Sequence, residues 1–105
     1  MTWLLLASAI VCEVTATLFL KRAIDHPALY AVVVAGYVAA FVLLTLTLKH
    51  GLGIGVAYGI WAACGVALTA VASKVFFDEP LTQVMMIGLV FIIAGVLLVE
   101  IGASH

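Results

Sequence analysis

The sequence predicts an all-α integral membrane protein with four transmembrane helices. Three observations point there. Of 105 residues, 68% are hydrophobic and only 9% are charged, where a soluble domain carries about 25% charged residues. A chain this small has too high a surface-to-volume ratio to hide such an apolar excess from water. The apolar residues also fall into four runs separated by short polar joins, each near the roughly 20 residues that cross a hydrocarbon core. A net charge of −1 without a basic run gives nucleic acid no electrostatic footprint.

The expected spans cover residues 3–20, 28–48, 54–77 and 81–101 of one four-helix transmembrane domain over residues 1–105. In the first run only Glu13 and small polar residues interrupt the apolar pattern. Ala7-Ser8-Ala9 resembles a signal-peptide cleavage site. However, no Lys or Arg precedes the run, it continues past that triplet, and further spans follow, so the run is expected to be retained. Lys21, Arg22, Asp25, His26 and Pro27 break the first join; Lys49, His50, Gly51 and Gly53 the second; Asp78, Glu79 and Pro80 the third. Pro27 and Pro80 sit where helices restart, which suits their fixed φ. Joins this short make successive helices antiparallel neighbours. Lys21, Arg22 and Lys74 lie on one side and Lys49 on the other. That leans toward cytoplasmic first and third joins, with a bias small enough to permit insertion both ways round.

Glu13 lies ten residues after Trp3 and seven before Leu20, about 15 Å from the first end of its span at 1.5 Å per residue and near the bilayer centre. A charge there costs roughly 2.5–3.5 kcal/mol even on the lenient insertion scale. No Lys or Arg occurs at comparable depth in any span, so the carboxyl is protonated, hydrated or paired with something that comes and goes. Loss of water disfavours a charged carboxylate and an adjacent cation favours it. Proton and cation then compete for one group, the minimum needed for exchange transport. The plainer role is a neutral acid bonded to a neighbouring helix, but intramembrane ionisable residues are functional by default. Leu6, Ala9, Ile10, Ala16 and Thr17 share its face, at offsets of three, four or seven residues. Ala9 and Ala16 permit close helix approach, and Thr17 adds a hydroxyl one turn away.

Tyr58 and Trp61 share a face of the third span, with Gly65 four residues on. An aromatic face of this kind holds an organic cation by cation–π attraction. Interfacial belt aromatics are the alternative, but Trp61 lies about 10 Å into its span, too deep for one. Tyr37 in the second span is at a depth similar to Glu13. Gly55, Gly59 and Gly65 allow the third span to bend. Gly88 and Gly95, with Ile92 between them, form a small-residue stripe on the fourth span suited to helix packing. Cys12 and Cys64 are expected to be buried free thiols. Neither a metal-ligand cluster nor a nucleophile-and-base pair is present, so no metal, no cofactor and no enzymatic activity are expected. Four helices hardly enclose a pathway alone. An antiparallel homodimer would supply an inverted second half, and two copies of Glu13 would then titrate as a coupled pair.

Together these residues resemble the small multidrug resistance transporters over essentially the whole chain. The pattern is Glu13-Val14-x-Ala16-Thr17-x-x-x-Lys21, then Val56-Ala57-Tyr58-x-Ile60-Trp61-x-x-x-Gly65, then Gly88 and Ala94-Gly95-Val96. The resemblance implies a proton-coupled exporter in the bacterial cell membrane, working as an antiparallel, dual-topology dimer. It implies that Glu13 binds protons and substrate alternately, and that Leu6, Ala9, Ile10, Ala16, Thr17, Tyr37, Tyr58 and Trp61 line the binding chamber. It further implies a kink at Gly65 and a dimer held by Gly88 and Gly95. Ala16, where the guanidinium-exporting branch has Trp, resembles the branch exporting lipophilic or quaternary-ammonium cations. The expected partners are therefore small organic cations, protons, membrane lipid and a second copy of the chain or a paralogue. Two alternatives stand beside this reading: a guanidinium exporter, and a non-transporting accessory or paired subunit of a membrane complex.

Overall fold

The computed structural model describes residues 1–103; residues 104–105, at the end of the expected domain, lie outside the described residues. The described residues form four long helices and no strand: α1 (Thr2–Ala23), α2 (Tyr30–Lys49), α3 (Ile54–Phe77) and α4 (Gln83–Ala103). All four are long and apolar enough to cross a membrane. Val34, Phe41, Phe91 and Leu98 are among many large apolar side chains left exposed. In water that would be an aggregation surface, whereas lipid tails are as apolar as leucine.

The chain divides into two compact units, the first Met1–Leu52 and the second beginning at Gly53. In the first unit α1 packs on α2. Helix α1 continues through Lys21 and Arg22, past the expected end of the apolar run, to Ala23. Both residues are good helix formers and complement the negative end of the helix dipole, so polarity there marks a membrane edge rather than a helix end. The chain then turns through a short 3₁₀ segment, Pro27–Leu29, with Pro27 in its first turn. The Leu29 N–H donates to the His26 carbonyl at 2.9 Å. After α2, Gly51 has φ +100°, a conformation glycine alone adopts without strain.

In the second unit α3 packs on α4. Asp78 ends α3 in the left-handed region, φ 54° and ψ 34°, which Asp tolerates better than most residues. The Glu79 N–H then donates back to the Ser73 carbonyl at 3.3 Å. Thr82 Oγ1 accepts the Met85 N–H at 3.2 Å, which caps the start of α4. Helix α4 contains no buried residue.

Candidate functional site

The face of α1 that carries Glu13 is the helix's buried face. Leu6 and Ala9 are 1% and 0% exposed, and Ile10 and Ala16 are buried with them. Glu13 and Thr17 are half-buried on the same stripe. Glu13 Oε2 is shielded and has no hydrogen-bond partner among the described residues. A buried polar atom left unpaired is costly.

The turn below Glu13 is tied to α2 by hydroxyls. Thr17 Oγ1 donates to the Glu13 carbonyl oxygen at 2.9 Å and lies 2.6 Å from the Tyr37 hydroxyl. A threonine hydroxyl has one proton to give. With that proton committed to the Glu13 carbonyl, the Tyr37 O–H donates to Thr17. The same tyrosine lines an open apolar groove along α2 with Val34, Val38, Phe41, Val42 and Thr45, a volume of about 490 Å³.

Gly36, beside Tyr37, is a residue that no signal in the sequence picks out. A Cβ built there would lie 2.8 Å from Ala16 Cβ and 3.5 Å from both Ala16 Cα and the Cys12 carbonyl oxygen. Ala16 lies seven residues before the end of α1, and Gly36 six after the start of α2, so the two meet at matching distances from the turn of a helical hairpin. Cys12 and Cys64 are free thiols.

In the second unit the Tyr58 and Trp61 rings have centroids 5.6 Å apart and planes tilted by 53°. Tyr58 is 57% exposed and Trp61 only 6%, so the pair presents the phenol outward from a sheltered indole. Gly65 is buried, and α3 remains helical through it. A Cβ at Gly88 or Gly95 would meet nothing within 4 Å, so both glycines lie on an open face of α4. Within their own units, then, Glu13, Thr17 and Tyr37 form one group, and Tyr58 and Trp61 another.

The family model for the Small Multidrug Resistance protein matches residues 1–92. The multidrug resistance protein mmr of Mycolicibacterium paratuberculosis is 35% identical, with the whole of both chains covered. The multidrug resistance protein Mmr of Mycobacterium tuberculosis is 34% identical over the same full coverage. A multidrug transporter of Pseudomonas aeruginosa is 37% identical, over 94% of this chain and 91% of its own. With four membrane-length helices and these relatives, the chain belongs to the small multidrug resistance family and is a multi-pass multidrug transporter of the bacterial inner membrane, not an enzyme.

Proposed function

We propose that this transporter exchanges protons for small lipophilic or quaternary-ammonium cations by alternating access around Glu13. The observation that carries the reading is the Glu13 carboxyl, mid-helix on the buried face of α1, with Oε2 shielded and unpaired. A cation beside it stabilises the carboxylate; a proton on it neutralises the carboxylate and releases the cation. Protonation from outside expels the substrate, and deprotonation inside readies the group for the next. Leu6, Ala9, Ile10, Ala16 and Thr17 line the chamber, with Tyr37. Tyr58 and Trp61 receive the cationic or apolar parts of the substrate by cation–π and dispersion contact. The small apolar faces of α1 favour a bulky lipophilic cation over a small planar one whose in-plane N–H donors each need an acceptor.

Two copies complete the pathway in this reading. They form an antiparallel dimer held along the Gly88 and Gly95 face of α4, whose open glycines admit close helix approach, while Gly65 is where α3 bends between states. The test is purified protein in proteoliposomes under an imposed proton gradient. Tetraphenylphosphonium and a tetraalkylammonium should accumulate with the normal chain and fail to do so with Glu13→Gln. Uptake by Glu13→Gln at the normal rate would falsify the mechanism.

A further inference from the structure

Gly36 lies against Ala16, the residue before Thr17, and itself precedes Tyr37, so it is next in sequence or in space to both residues whose hydroxyls tie the Glu13 turn to α2. The residue before it in space is Ala16, three positions after Glu13; the residue after it in sequence is Tyr37, whose hydroxyl is 2.6 Å from Thr17. A methyl at position 36 would stand 2.8 Å from Ala16 Cβ. Carbon atoms sit about 3.5–4.0 Å apart at their optimum, and neither Cβ is the end of a flexible side chain, so the helices would have to part. The Tyr37–Thr17 link is 2.6 Å, so a separation of that order stretches it beyond the roughly 2.5–3.0 Å of a good O–H···O bond and weakens it.

We infer that Gly36 is a positioning residue: its missing side chain seats α2 against α1 so that the Tyr37 hydroxyl reaches Thr17 and fixes the Glu13 turn for cation binding. The inference rests on the exchange reading above and adds to it a residue that contacts no substrate. Gly36→Ala raises the intrinsic helix propensity of α2, so a loss of function cannot come from a weaker helix. The partner of the clash is equally specific. Without the Ala16 methyl, the new Cβ would have only ordinary contacts at 3.5 Å, to Ala16 Cα and the Cys12 carbonyl. Ala16→Gly therefore accommodates Gly36→Ala.

The test uses full-length protein in detergent, comparing wild type, Ala16→Gly, Gly36→Ala, Ala16→Gly/Gly36→Ala, Tyr37→Phe and Gly36→Ala/Tyr37→Phe. The first readout is the NMR signal of ¹³Cζ-labelled tyrosine without cation. The chain has three tyrosines, and the signal of Tyr37 is the one absent from Tyr37→Phe. Gly36→Ala should move that signal and the Ala16→Gly/Gly36→Ala protein should return it. The second readout is tetraphenylphosphonium affinity. Gly36→Ala should weaken binding by up to about tenfold, the scale of one net hydrogen bond. The pair with Ala16→Gly should bind within about twofold of Ala16→Gly alone, a coupling of the kind neighbouring sites show. In the Tyr37→Phe background Gly36→Ala should cost almost nothing. An unmoved Tyr37 signal, an unrescued pair, or an equal loss without the Tyr37 hydroxyl overturns the inference. If Gly36→Ala alone does not fold, the Ala16→Gly/Gly36→Ala protein decides: it must fold with the wild-type Tyr37 signal. The NMR readout involves no cation, so it stands apart from the Glu13→Gln assay that tests the exchange itself.

Discussion

Thr17 gives its only proton to the Glu13 carbonyl and accepts one from Tyr37, so its two partners are not equivalent. Tyr37→Phe removes a donor whose acceptor is a hydroxyl already bonded elsewhere, and no donor is orphaned. Thr17→Val keeps the shape but leaves the Tyr37 O–H without its acceptor in apolar surroundings. Removing one partner of a bond costs more than never having it. Thermal or denaturant unfolding in detergent should therefore find Thr17→Val the more destabilised of the two, by about 0.5–1.5 kcal/mol, the range of interhelical bonds in membranes. At Glu13 itself, Asp keeps the charge and carries a reference pKa about 0.4 lower. If cation binding needs the ionised carboxyl, Glu13→Asp binds down to lower pH, and a binding titration across pH should show its midpoint displaced in the acid direction. Of these residues, Glu13 stands out in the sequence because an acid in an apolar run is costly and rare, and the structure places it on the buried face of α1. Gly36 was not. It is one small residue among Ala31, Ala35, Ala39 and Ala40, and a helix apolar all round carries no moment to say which side meets a neighbour.

The helices follow their apolar runs closely because in lipid every backbone group must be satisfied within the segment. Where the chain departs from the run, it does so at the ends: α1 keeps its cations within its last turn, and α2 begins after a 3₁₀ turn that starts at Pro27. These are decided by capping and dipole interactions of a few tenths to one kcal/mol, too small to leave a mark in hydropathy. Thr82 is such a device. Thr82→Ala should lower stability by about 1 kcal/mol, read as a fall in unfolding midpoint, with faster amide exchange confined to the first turn of α4. Exchange that quickened equally along all of α4 would argue that the cap holds more than its own helix end.

In the whole molecule, each unit is a helix pair, and the two pairs are unlike. The first buries a face with Leu6, Ala9, Val33 and Ala40 and locks it with hydroxyls. The second ends in a helix that buries nothing. Such a helix has little internal constraint on its sequence: any residue that lipid accepts should serve as well as the one present. Substituting every position of α4 with several apolar residues, and scoring export of a toxic cation in growing cells, should therefore give near-uniform tolerance wherever the helix faces lipid. Intolerant positions would trace the outline of whatever lies against it, and the proposed dimer places Gly88 and Gly95 inside that outline. Because α3 alone packs on α4 within its unit and leaves every α4 residue at least partly exposed, intolerant positions away from the α3 side turn a growth assay into a contact map of its partner.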